Sequence, residues 1–386
     1  MDLLGAEFST DLSTVTEDDS LDVIVELIGG EGVALDLVRG ELRKGRAVVT
    51  ANKALLAKHG NPLFKTAVDS GVDLAYEASV GGCMPIIKTF RESLVGNRIN
   101  GMGGILNGTC NYILSRITDE GIDFREALAK ATQAGYAEAD PTLDVEGFDT
   151  AHKLAILTSL AYGTEVDFDD IFIEGITQIT PLDIDFARQF GYRIKLLAIS
   201  KNHGDRVEAR VHPTMIPEGN LLSTISGSLN ALNISGDAVG DVMLYGHGAG
   251  MMPTASAVVG DVVDIARNLS RGATGRVPLR SFQPDKIGRI PIVSVDELVT
   301  HYYFRFTVKD QPGVLSTISG ILGEYGISIQ SVQQKGRKSS GAVPVVMLTH
   351  RAREADVQKA FRRIEALDVV DEKPMLIRLE DNGGID

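Results

Sequence analysis

The sequence predicts an α/β protein in three parts: a parallel sheet covered by helices, a mixed α+β region, and a small βαββαβ unit at the C-terminus. Three observations predict this class. Short β-branched runs alternate with segments of helical spacing near the N-terminus, helices mix with longer strand-like runs after about residue 84, and six further elements follow a stretch with three prolines. The length of 386 residues suits two or three domains of about 100–200 residues each.

The N-terminal region contains three short apolar runs that predict strands, at 22–28, 46–50 and 72–76. Residues at helical spacing follow the first two runs. Strands that alternate with helices form a parallel sheet covered on both faces, and such a sheet binds ligands beyond the carboxyl ends of its strands. The residues at these ends are Gly29, Gly30, Asn52, Lys53 and Glu77.

The middle region predicts an α+β domain, because helical and strand-like stretches are mixed within it. Residues 254–269 then carry small and apolar residues at helical spacing, which predicts one long buried helix. The three prolines that follow, Pro278, Pro284 and Pro291, predict an extended linker. The helical stretches of the middle region are 85–95, 109–119, 124–135 and 150–162, and its strand-like runs are 193–199 and 206–212.

The C-terminal region predicts a strand, a helix, two strands separated by a Lys/Gly/Ser turn, a second helix and a last strand. This order is that of a ferredoxin-like βαββαβ unit. The predicted elements lie at 302–308, 313–325, 327–334, 342–349, 353–365 and 374–379.

Composition and charge restrict the class of function. There are 38 Lys and Arg residues against 52 Asp and Glu residues, a net charge of −14, and an acidic surface disfavours nucleic acid as a partner. No apolar run approaches the roughly 20 residues that span a bilayer, and no basic segment with a hydrophobic core stands at the N-terminus. The two cysteines fit neither a disulfide framework nor a zinc motif, and the seven histidines are scattered. We therefore expect a cytoplasmic protein without nucleic-acid or membrane partners and without a transition metal.

The segment 135–153, GYAEADPTLDVEGFDTAHK, is the densest in polar side chains. Asp149 and Lys153 are four residues apart and share one face of the helix predicted after Gly147. In a structural interpretation, which the pattern alone favours, Asp149 caps the helix and Lys153 is its exposed partner. In a functional interpretation, Lys153 lies in the first turn, where the helix dipole disfavours a positive charge, and takes part in proton transfer. The upstream acids Glu138, Asp140 and Asp144 then bind an amino group, or else they form a solvated loop.

Three glycine-containing segments are further candidate binding loops, although each is a weak indication alone. Gly81 and Gly82 let the backbone turn sharply and bring carbonyl oxygens toward a ligand or cation. His247 is interpreted as a loop or packing residue rather than a metal ligand. The segments are 77–84, 104–112 and 245–253.

Together these segments resemble homoserine dehydrogenase of the bacterial type. The resemblance covers residues 20 to 300 in the family's order, and residues 302–380, with the turn Asp310-Gln311-Pro312-Gly313, resemble an ACT domain. It implies reversible, NAD(P)H-dependent reduction of L-aspartate 4-semialdehyde to L-homoserine in the biosynthesis of threonine, methionine and isoleucine. The segments that carry it are VVTANKALLA (48–57), YEASVGGCMPII (76–87), NGTCNYIL (107–114), GYAEADPTLDVEGFDTAHK (135–153) and YGHGAGMMPTASAVVGD (245–261).

The resemblance also implies roles for particular residues. Lys153 is the general acid and base, with Asp149 and Lys53 as further catalytic residues. The cofactor is NADP or NAD, a monovalent cation (sodium) binds nearby, and an amino-acid effector (threonine) binds the ACT domain. The implied substrate-binding residues are Glu138, Asp144, Asp149, Gly108, Thr109 and Tyr136. The implied cofactor-binding residues are Lys53, Asn52, Gly29, Gly135, Gly246, Gly248 and Gly250. The implied cation ligands are Glu77, Val80, Gly82 and Met84, and the implied effector site contains Asp310 and Gly313.

Four segments and a homodimer or homotetramer are expected from the resemblance. Residues 1–84 form a partial dinucleotide-binding domain and residues 85–253 a substrate and dimerisation domain. Residues 254–300 form a helix that returns to the nucleotide domain, followed by a linker, and residues 301–386 form the ACT regulatory domain.

One part of the family's pattern is missing from the sequence. Members open with a strand, a G-x-G-x-x-G turn and a helix, whose backbone N–H groups hold the cofactor's pyrophosphate, and nothing like this precedes Asp22. The sequence therefore predicts an incomplete Rossmann-like sheet, and we expect Met1 to be a misassigned start or the chain to be N-terminally truncated. It leaves an alternative function open, a catalytically silent amino-acid-binding regulatory protein, and it does not decide between NAD and NADP.

Overall fold

A computed structural model describes residues 6–334 and 341–381 of the chain. Its N-terminal part is a three-stranded parallel sheet in the order β1-β2-β3, with Val23 opposite Ala47 and Val48 opposite Leu74. The three strands predicted here are confirmed. The elements are α1 (Ser13–Thr16), β1 (Val23–Glu26), α2 (Val33–Arg43), β2 (Ala47–Thr50), α3 (Lys53–Ser70) and β3 (Leu74–Ala75).

The boundaries of α3 follow from its terminal residues. The side chain of Asn52 accepts a hydrogen bond from the backbone N–H of Leu55, which caps the start of the helix. Gly71 ends the helix in the left-handed conformation, with φ of 66°. This helix start lies directly after β2, so that Lys53 stands at the carboxyl edge of the parallel sheet.

The middle part is built around α8, in which every residue from Asp149 to Tyr162 is buried. The α+β mixture predicted here is confirmed. The elements are α4 (Ile86–Lys88), β4 (Ile99–Ile105), α5 (Gly108–Glu120), α6 (Phe124–Gln133), α7 (Thr142–Val145), α8 (Phe148–Tyr162), β5 (Phe172–Ile173), α9 (Pro181–Gln189), β6 (Tyr192–Asn202), β7 (Val207–Pro217), β8 (Leu229–Gly236) and β9 (Gly240–His247).

The C-terminal part has the predicted βαββαβ order, with one additional two-residue strand, β13, that pairs with the first strand of the unit. The Lys/Gly/Ser turn predicted between the two middle strands lies outside the described residues. Helix α10 (Met251–Leu269) precedes this part, whose elements are β10 (Val299–Lys309), α11 (Val314–Glu324), β11 (Ile329–Gln334), β12 (Ala342–Thr349), β13 (Ala352–Arg353), α12 (Glu354–Glu365) and β14 (Met375–Leu379).

One continuous sheet joins the middle and C-terminal parts, in the order β11-β12-β10-β14-β7-β6-β4-β8-β9. The junction is a parallel pairing of Arg378 with Thr214 and of Leu379 with Met215. Strand β14 is the edge of the C-terminal unit, and an edge strand presents unpaired backbone groups that a neighbour can cover. Tyr303 and Ile377 accordingly belong to the same apolar core as helix α8.

The prediction that residues 254–269 form a buried helix is wrong in part. Helix α10 forms, but it buries only one stripe, which includes Val258 and Ile265, against β2 and β3. Val259 and Val263 on the other face are exposed, because a helix of period 3.6 that rests on one sheet covers a single stripe. The linker after it is irregular, with two single 3₁₀ turns at Pro284–Lys286 and Val295–Glu297. Across the described residues, no helix combines the length and the apolar character that crossing a membrane requires.

Candidate active site

The start of α8 brings Asp149 and Lys153 into a buried pair. The Nζ atom of Lys153 lies 2.7 Å from Oδ2 of Asp149 and 2.6 Å from the backbone oxygen of Leu106. The structural interpretation of this motif is therefore wrong on both points. Gly147 precedes the helix without any side-chain cap, and Lys153 is only 6% exposed, because α8 runs through the core and has no solvent-facing side here.

Asn107 bridges the two acids of this site. Its Nδ2 atom donates to Oδ1 of Asp144 at 2.7 Å and to Oδ2 of Asp149 at 2.8 Å. Its Oδ1 atom accepts from the N–H of Cys110 and so caps helix α5. The sequence analysis did not include Asn107 among the site residues, although an asparagine between a strand and a helix is the pattern of an N-cap. The cap fixes the amide so that its N–H groups point at the carboxylates.

Lys53 reaches the same carboxylate from the N-terminal domain. Its Nζ atom lies 3.0 Å from Oδ1 of Asp149, and its side chain is 43% exposed. Burial acts to raise the pKa of Asp149, but the charges of Lys153 and Lys53 outweigh it and hold the pKa below its ordinary value. Asp149 raises the pKa of Lys53 in turn. The three predicted catalytic residues are therefore in direct contact.

All the predicted substrate-binding residues except Glu138 come together around the start of α5. Gly108 and Thr109 form its first turn, and the hydroxyl of Thr109 donates to the backbone oxygen of Tyr136 at 2.7 Å. Burial raises the pKa of Asp144, which lies on the same side. Glu138 is exposed, and its negative charge contributes to the raised pKa of Lys53.

The turn after β1 is fixed by two side chains, one of which the sequence analysis missed. The buried carboxylate of Glu26 accepts from the N–H groups of Ile28, at 2.7 Å, and Gly29, at 3.0 Å. Asn52 donates to the backbone oxygen of Gly30 at 2.7 Å. Gly29 and Gly30 adopt left-handed conformations, with φ of 79° and 71°. Gly29, Asn52 and Lys53 thus share the carboxyl edge of the parallel sheet, as predicted for such a sheet.

The other glycines predicted to bind the cofactor differ in the space around them and in their backbone conformation. A side chain at Gly248 would overlap the amide of Asn230, so close packing requires glycine there. A β-carbon at Gly246 would lie 3.2 Å from Cγ of Met84, a tight contact with a flexible side chain. Gly250 begins α10 with φ of 123° and without a side-chain cap. Gly135 lies in an exposed turn where a β-carbon would meet nothing within 4 Å.

The segment 77–84 begins with a buried carboxylate, that of Glu77. The two oxygens of Glu77 accept from the N–H groups of Ile87 and Lys88 at 2.8 and 2.9 Å. Burial raises the pKa of Glu77 to about 7. Gly81 and Gly82 follow with φ of 76° and 59°, so the backbone makes the sharp turn that the sequence predicted. Carboxylate and backbone carbonyl oxygens are the ligand types that a hard cation prefers.

Comparison with known proteins identifies the family. The homoserine dehydrogenase of Pseudomonas aeruginosa is 46% identical over 373 residues, which are 96% of this chain and 86% of that protein. The homoserine dehydrogenase of Neisseria gonorrhoeae is 43% identical, over 97% of this chain and 86% of that protein. The chain belongs to the homoserine dehydrogenase family.

Family models and solved structures agree with this assignment. The model of the homoserine dehydrogenase NAD binding domain matches residues 2–77, that of homoserine dehydrogenase matches 85–263, and that of the ACT domain matches 302–369. A crystal structure of homoserine dehydrogenase from Thiobacillus denitrificans has a TM-score of 0.91 and 46% identity, over 97% of this chain and 85% of that one. A hyperthermophilic archaeal homoserine dehydrogenase in complex with NADPH has a TM-score of 0.59 and 25% identity, over 67% of this chain and 76% of that one.

The predicted family and fold class are therefore confirmed. This homoserine dehydrogenase is an oxidoreductase with a nicotinamide-binding domain, a catalytic domain and a C-terminal ACT domain, which is an amino-acid-binding module. In the ACT domain, Gly313 precedes α11 with φ of 89° and without a side-chain cap. This conformation is the one that the predicted tight turn after Asp310 requires.

Proposed function

We propose that this homoserine dehydrogenase interconverts L-aspartate 4-semialdehyde and L-homoserine with Lys153 as general acid and base. The arrangement of donors on Lys153 carries the proposal. An ammonium group has three N–H donors, and two of them are directed at Asp149 and at the backbone oxygen of Leu106. The third N–H is left for the reacting oxygen of the substrate.

Charge at the reacting oxygen is then balanced by the chain's own residues. When bound, the nicotinamide cofactor would supply the hydride to the aldehyde carbon, or accept it from homoserine in the reverse direction. Lys153 donates its proton to the carbonyl oxygen as negative charge develops there, and takes it back from the hydroxyl of homoserine in the reverse direction. Lys53 adds a second positive charge beside the same carboxylate, and Asp149 orients both amines.

The ammonium and carboxylate groups of the substrate are each matched by protein groups of opposite charge or polarity. Asp144 and Glu138, together with Asp149, suit the ammonium group of the substrate. Gly108 and Thr109 stand at the N-terminus of α5, where the helix dipole and the first N–H groups favour a carboxylate. We place Tyr136 at the edge of this site, where its backbone oxygen accepts from Thr109 and its ring packs on Tyr112.

We propose that NADP or NAD binds at the carboxyl edge of the parallel sheet, against Gly29, Asn52 and Lys53. The glycine turn held by Glu26 and Asn52 leaves room for a close approach, and an archaeal relative binds NADPH. Gly135, Gly246, Gly248 and Gly250 complete the proposed site. A sodium ion is proposed beside Glu77, with backbone oxygens of Val80, Gly82 and Met84 as further ligands.

The remaining proposals concern regulation and assembly. Asp310 and Gly313 of the ACT domain bind an amino-acid effector, threonine, so that the enzyme is controlled in the synthesis of threonine, methionine and isoleucine. We place the enzyme in the cytoplasm, where free cysteines such as Cys83 and Cys110 persist. We further propose that it assembles as a homodimer or homotetramer. The segments 1–84, 85–253, 254–300 and 301–386 are its functional units.

The decisive experiment is homoserine-dependent reduction of NADP⁺ and NAD⁺ by the purified chain, followed by the fluorescence of the reduced cofactor. The chain contains no tryptophan, so protein fluorescence interferes little with this signal. Turnover that requires both homoserine and cofactor supports the proposed dehydrogenase activity. Threonine binding without any turnover would instead support the catalytically silent, amino-acid-binding alternative.

A further inference from the structure

A single arginine of the ACT domain contacts the middle domain at two points. Arg378 lies on β14 and is 1% exposed. Within its own domain it forms a bidentate pair with Glu354, at 2.9 and 2.5 Å. Across the domain boundary, its Nη1 atom donates to Glu174 at 2.8 Å, and its guanidinium carbon lies 4.8 Å from the ring centre of Phe172. Arg378 thereby fixes the segment 172–176, which we call the support segment.

The support segment is held firmly on both sides. The N–H of Glu174 donates to the backbone oxygen of Val211 on β7 at 2.8 Å, and the N–H of Ile176 donates to the backbone oxygen of Val145 at 2.8 Å. A β-carbon at Gly175 would overlap the oxygen of Val145 and lie 2.5 Å from Cα of Glu146. The segment therefore rests with its backbone directly on the backbone of 145–146.

Residues 145–147 form the corner between α7 and α8, and this corner carries the acids of the active site. Gly147 takes φ of 89°, and a β-carbon there would lie 3.2 Å from Ile173 and 3.4 Å from the backbone oxygen of Glu174. Asp144 precedes the corner and Asp149 follows it. Both carboxylates are held by the same amide of Asn107, so a displacement of the corner changes both contacts.

We propose that Glu174 and Arg378 are positioning residues for the reaction: their ion pair sets the support segment against the α7–α8 corner and so orients Asp144 and Asp149 toward Lys153. The proposal rests on the function proposed above for that site. Rates of enzymatic reactions are sensitive to displacements of about 1 Å at the reacting groups. The contact also connects β14 of the ACT domain to the active site through two segments, the support segment and the α7–α8 corner.

Glu174 is the position to change, because its side chain is partly exposed, at 36%, whereas Arg378 is buried with Glu354. Glu174→Gln keeps a hydrogen-bond acceptor for Arg378 and removes the charge, and Glu174→Ala removes both. Glu380→Gln is the matched control. It breaks another ion pair between the domains, with Arg210 and Lys201. Among the described residues, the hydrogen bonds of Glu380 reach neither residues 144–149 nor the support segment. Arg210 pairs with Phe172 of that segment only through the backbone of β7 and β5, which the substitution leaves in place.

Two readouts are measured without added amino acids: kcat and KM for homoserine, and amide hydrogen exchange of a peptide spanning 142–149. We expect kcat/KM to fall in the order wild type, Glu174→Gln, Glu174→Ala, by roughly 2- to 30-fold, with a fall in kcat as well as a rise in KM. Exchange at 142–149 becomes faster in the Glu174 variants and stays at the wild-type rate in Glu380→Gln.

The proposal is overturned if Glu174→Ala keeps the wild-type kcat/KM, or if Glu380→Gln reproduces the loss. It is also overturned if exchange at 142–149 is the same in wild type and Glu174→Ala. If the wild-type chain shows no homoserine turnover, the proposed function fails, and the exchange experiment still decides whether the support segment holds the corner.

Discussion

Two buried ionic clusters differ in how many of their N–H donors are paired within the protein. At the domain boundary, the Nε, Nη1 and Nη2 atoms of Arg378 all donate to carboxylates, and the face of the guanidinium covers an aromatic ring. In the candidate active site, Asp149 pairs with two lysines, of which Lys153 uses two N–H donors and Lys53 is partly exposed. A planar guanidinium whose three nitrogens are all bonded to carboxylates fixes a structure, whereas an ammonium with an N–H donor left over can exchange a proton.

The largest difference between the two clusters is expected in activity, and the variant that tests it is Lys153→Ala. We expect kcat to fall by about 10²- to 10⁴-fold, the usual contribution of a general acid or base, while the fold persists because Asp149 keeps Lys53 and Asn107 as partners. Steady-state reduction of NADP⁺ by homoserine measures the loss, and circular dichroism checks the fold.

The control for this variant is Lys195→Met. Lys195 is as buried as Lys153, at 6%, burial lowers its pKa to about 8, and it donates to Asn111 and to the backbone oxygen of Ile225. We expect Lys195→Met to keep most of its activity. An equal loss in both variants would show that any buried lysine of this core is needed, and would refute the special role of Lys153.

The second largest effect is expected on stability, from Arg378→Met. The change leaves Glu354 as a buried carboxylate without its cation, which costs about 3–5 kcal/mol of unfolding free energy. The double variant Arg378→Met/Glu354→Gln should recover much of this loss, since the uncompensated charge is gone. Urea unfolding curves measure both variants. A single variant as stable as wild type would mean that the boundary cluster contributes no stability.

A smaller effect is expected on the pH dependence of stability when Asp149 is replaced. Because its pKa is lowered in the folded state, its ionised form contributes stability that is present above the unfolded pKa of about 3.9 and is lost as pH falls through the folded value. Asp149→Asn lacks this contribution. We therefore expect the gap between the urea midpoints of wild type and Asp149→Asn to narrow from pH 7 to pH 3. A gap that widens on acidification would contradict the ionic account of the site.

The smallest effect is expected from the proposed cation site. At pH 8, replacing choline chloride by sodium chloride at equal ionic strength should raise Tm by about 1–4 °C, because an ion bound only to the folded state stabilises it. Glu77→Gln should abolish this difference. A sodium effect of the same size in wild type and Glu77→Gln would show that the ion acts elsewhere.

Much of the local structure could be predicted because its causes are local. Strands β1 to β3 and the helices between them follow from short-range apolar patterns, and the spacing of Asp149 and Lys153 fixes their common helix face. Burial could not be predicted in the same way. The pattern alone favoured an exposed Lys153 and a buried α10, and the structure shows the reverse for Lys153 and only one buried stripe for α10.

The sequence alone predicted the order of the domains, the family and the residues proposed to supply the chemistry, because motifs and periodicities are properties of neighbouring residues. The tertiary structure decided which groups these residues meet. Lys153 bonds to a backbone oxygen 47 residues away, and Arg378 pairs with a carboxylate 204 residues away. The pairing of β14 with β7 likewise depends on an open strand edge in each unit. Such contacts between distant segments leave no periodic trace in the sequence, because they arise only when separate elements pack together.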